Sequence, residues 1–296
     1  MKAVILHQKG GPDELRYEDV PDPEPSDGEL LIRVEAAGVN HIDLTWRAGG
    51  APTLPMILGV DAAGRRVDTD ERVLVTSTRG TYAELVAAKQ ENVFPIPDSL
   101  DTTTAAAISA PYKTAWWSLV DMGGLKEGDT LLVQGAATAT GQASIDVGRA
   151  IGATVYATTR AEKLEQARAL GAAEVFEYGD PRVRDLDANV VFDPIGAETF
   201  SDSVEALARE GTLVTPGAVG SPNVSFSLWT LVGRKARIHG IGSAQASRQT
   251  MEVLIGMAAS GKIRPVVDRE LPLEQAADAH RAIEARETFG KVILRP

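Results

Sequence analysis

Over residues 130–241 short apolar runs alternate with helical stretches. The order is TLLVQG, a helix over about 141–151, TVYATT, a helix over 161–170, EVFEY, NVVFD, a helix over 198–208, TLVTPG and ARIHGI. Apolar runs without polar alternation read as strands covered on both faces, and such strands interleaved with helices form a parallel sheet with helices on either side. The segment is therefore predicted to be a doubly wound α/β unit.

Residues 1–97 follow a different pattern. Strand-like runs (KAVILH, LLIRVEAAGV, RVLVTS, TYAELVAA, NVFPIP) are separated by turns rich in Pro, Gly and Asp, PDPEPSDGE being the clearest, which reads as a compact, mostly β unit with no long helix. A helix start follows at 99–107 and runs on through PYKTAWWSLVDMGG to its glycines. The tail reads as a helix over 249–260, a strand and turn in PVVDRELPL, a helix over 273–286 and a last strand, KVIL. That strand is expected to return to the N-terminal unit. At 296 residues and 31.4 kDa one core usually gives way to two domains, and the expected division is 1–107 and 251–296 for one domain and 108–250 for the other. Small ligands usually bind in the cleft between two such domains.

The loop GAATATG, residues 135–141, sits where a dinucleotide site needs a tight turn, a close approach of backbone to pyrophosphate and free N–H groups at a helix start. Gly135 supplies the turn and Gly141 the close helix–strand contact. Between them Ala136, Ala137, Thr138, Ala139 and Thr140 occupy the loop, with alanine and threonine where glycine is easiest. Alanine keeps the approach nearly open; Thr138 costs room and offers a hydroxyl. Two readings fit the loop alone: a phosphate cradle, or a tight strand-to-helix turn of another α/β protein. About twenty residues on, NAD enzymes usually place Asp or Glu against the ribose. Here the text is TTRAEK, with Arg160 and then Lys163. A guanidinium grips a 2′-phosphate that a carboxylate would repel, so NADPH is preferred over NAD; the other reading of these two residues is a solvated helix start with Glu162 as partner.

Several chemistries are excluded. There is no cysteine, hence no thiolate catalysis, disulfide or cysteine metal site. His7, His41, His239 and His280 lie far apart with no metal-ligand spacing, and there is no GxSxG elbow or GK[ST] phosphate loop. A net charge of −11 repels polyphosphate backbones, so nucleic acid is not an expected main ligand. No apolar run approaches a membrane span and the start lacks a signal-peptide pattern, so the expectation is a cytoplasmic enzyme with no membrane partner. Hydride transfer fits what remains, because the cofactor carries the reactive group and the protein chiefly positions it.

AAGVNHIDLTWRAG, LPMILGVDAAG, GTYAELV, APYKTAWWSL, LLVQGAATATGQASIDVGRAIGA, EKLEQARALGA and AIEARETFGKVIL occur in an order that resembles, over essentially the full length, the zinc-free quinone oxidoreductase (zeta-crystallin-like) branch of the medium-chain dehydrogenase/reductase superfamily. The resemblance implies a GroES-like, mostly β catalytic domain (1–107, completed by 251–296), a Rossmann-type NADPH-binding domain (108–250) and a homodimer. Where zinc-dependent relatives carry a metal-binding cysteine and a His-Glu pair, this chain has Asn40 and Val60–Asp61, so no metal is expected. It further implies Asn40 beside nicotinamide and substrate, Asp43 holding the pocket together, and Arg47 lining or bracing it. Thr45 stands where the family often has tyrosine, and Trp46 either shapes the pocket mouth or packs in the core. Thr114 is implied to contact nicotinamide; Lys163, Tyr178 and Arg286 are implied to reach the cofactor with Arg160, although Tyr178 reads equally as a plain strand aromatic.

Two departures from the family pattern stand out. Thr138 and Ala139 replace loop glycines, and AGRRVDTDE is shorter than the usual strand, turn and strand, from which a simpler β unit and a more open cleft are expected. The activity so implied is reduction of a quinone or an α,β-unsaturated carbonyl by NADPH. The competing expectations are an NADPH-binding structural or regulatory protein with little turnover and, more remotely, a zinc alcohol dehydrogenase.

Overall fold

The computed structural model describes residues 1–296. Two compact units are present: one comprises Met1–Ala110, Ser247–Gly261 and Pro265–Pro296, the other Pro111–Ala246 and Lys262–Arg264.

In the second unit six strands form one parallel sheet, in the spatial order Glu174–Glu177, Thr154–Thr159, Thr130–Val133, Ala188–Phe192, Leu207–Thr215, Arg237–Gly240. Numbered along the chain this is 3-2-1-4-5-6, the Rossmann order, whose direction reverses beside the first strand and leaves a crevice there. Leu131, Leu132 and Val133 are fully buried, as a strand covered on both faces requires. Helix Ala139–Ile151 packs Ala143, Ile145 and Val147 inward.

Local signals mislead at three places in this unit. The stretch read as one helix over 161–170 is a 3₁₀ turn, Ala161–Lys163, followed by a short helix, Leu164–Arg168. The stretch read as helix over 198–208 is helical only at Phe200–Glu205, because Leu207 already begins a strand beside Ala188. A helix at Leu228–Arg234 has no counterpart in the sequence reading; its exposed Leu228, Trp229 and Val232 lack the one-sided periodicity that marks a core-facing helix.

The first unit holds a mainly antiparallel seven-stranded sheet and a smaller sheet of three strands. Strand Lys291–Arg295 pairs antiparallel with the long strand Glu29–Val39, with Val292 opposite Val39, and parallel with Val267–Pro272. The short strands Leu15–Asp19 and Ala62–Arg66 escape the sequence reading because charge and glycine interrupt their alternation, and Met56–Ile57 because two residues show no period. Shortening of AGRRVDTDE does not remove the hairpin: Ala62–Arg66 and Arg72–Val75 still pair, Ala62 opposite Val75 and Arg65 opposite Arg72. The core includes Val4, Leu6, Ile32, Leu58, Val75, Tyr82 and Leu294, with Trp46 packed against it.

Candidate active site: a glycine-bounded loop and a buried polar pocket

Loop 135–141 leads from strand Thr130–Val133 into helix Ala139–Ile151. Gly135 has φ +78°, and a Cβ there would stand 2.7 Å from Ile195 Cδ1. A Cβ on Gly141 would overlap the carbonyl oxygen of Gly135, so the helix starts this close to the strand only because residue 141 has no side chain. Ala136 is buried and its N–H donates to Thr158 O at 2.8 Å, tying the loop to the neighbouring strand. Thr138 is the N-cap: its hydroxyl accepts from Gly141 N–H and donates to Gly135 O, both at 2.9 Å. That hydroxyl is thus already used inside the loop. Ala137, Ala139 and Thr140 are partly exposed, and the first N–H groups of the helix, those of Ala139 and Thr140, have no intrahelical acceptor and sit at the positive end of the helix dipole. Bare backbone and free donors at a helix start fit a pyrophosphate.

Behind the loop the strand ends are locked together. Asp193, fully buried, accepts from the N–H groups of Ile195 (2.8 Å) and Gly196 (3.2 Å) and from the hydroxyls of Thr199 (2.9 Å) and Ser203 (2.7 Å). Gln134 donates to Ser203 Oγ at 3.0 Å and accepts from Thr158 Oγ1. Burial raises the Asp193 pKa above the usual carboxylate range against these donors. The result is a fixed crevice rim.

At the end of strand Thr154–Thr159, Arg160 pairs with Glu198, Nη2 to Oε2 at 3.3 Å; this ion-pair partner comes from a distant loop. Lys163 is partly buried at the end of the 3₁₀ turn. Tyr178 follows strand Glu174–Glu177, donates its N–H to Thr159 O at 3.0 Å and is partly buried. Burial raises its phenol pKa, Glu198 adds to the rise and Arg160 opposes it. Arg160, Tyr178 and Glu198 therefore share one corner. Thr114 is partly buried on helix Thr102–Trp116. Arg286 belongs to the first unit, where it is exposed with φ +59° just past helix Ala276–Glu284.

In the first unit the short helix His41–Thr45 presents the other predicted residues. Asp43, fully buried, accepts from Asn40 N–H (2.9 Å), Gly59 N–H (3.2 Å) and the Tyr82 hydroxyl (3.1 Å). Burial pushes its pKa up to about 7, the Asn40 hydrogen bond opposing and the Asp61 charge assisting. Asn40 Nδ2 donates to Asp61 Oδ1 at 2.7 Å and to Gly38 O at 3.1 Å, while its Oδ1 accepts from Lys291 Nζ. Asp61 Oδ2 accepts from Ala110 N–H at 3.0 Å and lies 3.6 Å from Lys291 Nζ. Beyond Asp43, Tyr82 Oη lies 3.3 Å from His280 Nε2; burial pushes the His280 pKa down to about 3, with the nearby Arg47 charge adding to the shift. This imidazole is neutral at physiological pH.

Asn40 and Asp43 are directly joined, whereas Thr45 and Arg47 point elsewhere. Thr45 is exposed and its hydroxyl donates to His41 O at 3.1 Å. Arg47 is buried, donates to Gly10 O at 2.9 Å and pairs with Glu284, so it braces the helix. Tyr82, His280 and Lys291 were missed as pocket residues, and Asp61 was read only as the occupant of a metal-ligand position. The available signal was a lysine heading the apolar run KVIL and a tyrosine inside TYAELV. No group of three or more His, Cys, Asp or Glu side chains is placed to hold a metal ion.

A Rossmann-order sheet with a glycine-bounded helix start, accompanied in one chain by a mostly β unit carrying a buried polar pocket, defines a two-domain dehydrogenase/reductase. Residues 26–98 match the alcohol dehydrogenase GroES-like domain family and residues 170–294 the zinc-binding dehydrogenase family. A quinone oxidoreductase of Pseudomonas aeruginosa is 30% identical over 324 residues, covering 100% of this chain and 99% of that protein. Among solved structures, one described as an NAD-dependent alcohol dehydrogenase superposes with a TM-score of 0.92 at 32% identity, and a mycobacterial protein complexed with NADPH with 0.91 at 31%; each pair is covered over 100% of both chains. The chain belongs to the medium-chain dehydrogenase/reductase superfamily, in its quinone oxidoreductase branch.

Proposed function

We propose that the protein is an NADPH-dependent, zinc-independent oxidoreductase that reduces a quinone or the β carbon of an α,β-unsaturated carbonyl, as a cytoplasmic homodimer. The observation that carries this reading is loop 135–141, where Gly141 has no room for a side chain, the helix-start donors lack an intrahelical acceptor, and Ala136 ties the loop to the strand that precedes Arg160. When bound, NADPH supplies the hydride. The loop N–H groups hold the pyrophosphate, Arg160, Lys163 and Tyr178 recognise the adenosine phosphate, and Arg286 reaches the cofactor. Thr114 orients the nicotinamide. An arginine in place of the usual strand-end acid favours NADPH over NADH, even though one structural relative is described as NAD-dependent.

Asn40 shapes the acceptor pocket without donating to the acceptor, since both donors of its carboxamide are used within the protein. The proton for the reduced acceptor then comes from solvent or a bound water. Zinc independence is supported by the donor chemistry: a carboxamide and one carboxylate with an ammonium against them do not gather a dication. Self-association is supported by the exposed Leu228, Trp229 (82% exposed) and Val232 of helix Leu228–Arg234 and, as a separate feature, by the unpaired edge of strand Arg237–Gly240. In sedimentation, the wild type is expected as a dimer and Trp229→Glu as a monomer.

The function is tested by mixing purified protein with NADPH and a panel of quinones and enones and following the absorbance of the reduced cofactor. Turnover with at least one acceptor class is expected. Rates no higher than background with every acceptor would leave a cofactor-binding protein without this activity.

A further inference from the structure

We propose that Lys291 is a positioning residue whose ammonium fixes the orientation of the Asn40 carboxamide and with it the acceptor pocket. Lys291 opens the last strand and its side chain is 2% exposed. The Nζ atom makes its closest polar contact with Asn40 Oδ1, a residue 251 positions away, and lies 3.6 Å from Asp61 Oδ2. On the other side of the same carboxamide, Nδ2 donates to Asp61 and to Gly38 O. The two ends of an asparagine amide are nearly equal in shape and opposite in chemistry. With an ammonium against one end and a carboxylate against the other, a flipped amide would set donor against donor and acceptor against acceptor.

The backbone makes room for this arrangement. A Cβ on Gly38 would stand 2.6 Å from Lys291 Cε, 2.8 Å from Asp61 Oδ1 and 2.9 Å from Lys291 Nζ. The lysine therefore crosses a residue that has to be bare, and three distant segments converge on one nitrogen. If the ammonium served only to neutralise Asp61, the carboxylate would be its nearest partner; the amide oxygen is nearer, and Asp61 has two further donors in Asn40 and Ala110.

The charged groups facing Lys291 are Asp61, after strand Met56–Ile57, and Asp43, from helix His41–Thr45. Burial lowers the Lys291 pKa below its ordinary value, and both carboxylates oppose that shift. Tyr82 and His280, beyond Asp43, are neutral near pH 7, the phenol raised well above its usual range and the imidazole down to about 3. The amide of Asn40 should consequently sense two titrations, that of Asp43 near 7 and that of Lys291 below its ordinary value.

The test follows the side-chain amide resonance of Asn40 by nitrogen-15 NMR against pH, in the cofactor-free wild type and in Lys291→Met. The expected result is a second step in the wild type that is absent from Lys291→Met, while the Asp43 step near neutrality persists in both. In acceptor reduction Lys291→Met should lower kcat by roughly tenfold to a hundredfold, as small misplacements of a pocket do. The KM for NADPH should stay within about twofold, since cofactor binding is not what is lost. Gly38→Ala, with Lys291 intact, should shift the Asn40 resonance in the same sense.

A wild type with no step at Asn40 beyond that of Asp43, or a folded Lys291→Met with wild-type resonance and kcat, overturns the proposal. The kinetic arm rests on the reductase reading. If the wild type reduces no acceptor, that reading fails while the amide titration still decides the role of Lys291; if Lys291→Met does not fold, the wild-type titration and Gly38→Ala decide it.

Discussion

In loop 135–141 the working groups are main-chain donors, and the side chains matter by being small; at Asn40 they are side chains, bonded to one another and to nearby backbone groups. Gly135 and Gly141 keep the helix start open and close to the strand, and the hydroxyl of Thr138 is taken up within the loop, where it caps the helix. In the pocket, Asp43, Asp61, Lys291, Tyr82 and His280 are almost fully buried, and burial shifts the pKa values of Asp43, Lys291, Tyr82 and His280. A backbone cradle is insensitive to pH and intolerant of added volume. A buried ionisable network responds to pH as well as to volume.

The largest expected effect breaks that contrast on the pocket side. The folded pKa of Asp43, about 7, lies above the 3.8 of the exposed carboxyl. Between these values the folded state binds the extra proton, so this stabilisation is complete below about pH 4 and is lost as pH rises to about 7, by at most about 4 kcal/mol. Urea unfolding at pH 5 and pH 8 should show the wild type less stable at pH 8, with Asp43→Asn reducing the difference. An unchanged difference in Asp43→Asn would remove Asp43 as its source.

Next in size is Gly141→Ala. The added Cβ meets the Gly135 carbonyl rather than a flexible side chain, so a loss of about 3 kcal/mol in stability is expected, the upper end for overpacking. Calorimetry should record it with little dependence on pH, and cofactor affinity should fall as well. A neutral Gly141→Ala would mean that the loop relaxes and that its closeness is not structural.

Arg160→Glu sharpens the comparison at the cofactor corner, because it changes charge without changing the loop. NADPH binding should weaken by about 2 kcal/mol, the range of a charge-assisted hydrogen bond, and NADH binding far less. Equal weakening of both cofactors would take Arg160 out of the phosphate site. Smallest is Thr138→Ala, which removes the helix cap and should cost about 1 kcal/mol in thermal stability; Thr138→Gly should cost only a few tenths by the same principle.

These differences also explain what was legible in the sequence. Rossmann order follows from strands and helices that succeed one another along the chain, and the loop lies within seven consecutive residues, so local pattern suffices for both. The Asn40 pocket depends on contacts between residues up to 251 positions apart, and nothing local to Lys291 says that its neighbour will be Asn40. Arg47 illustrates the same limit: its place beside the pocket residues was readable, but its partners Gly10 and Glu284 come from opposite ends of the chain. Short elements were lost for a related reason. Met56–Ile57 and Leu228–Arg234 exist through tertiary support that propensity does not register.

The central claim is that the backbone cradle, together with Arg160 at the adjoining strand end, selects a phosphorylated nicotinamide dinucleotide. It is tested most directly by titrating the cofactor-free wild type with NADPH and with NADH under identical salt and pH in a calorimeter. Binding of NADPH tighter by roughly tenfold or more, the free energy of one good charge-assisted contact, is the predicted result; equal affinities, or tighter binding of NADH, would contradict it.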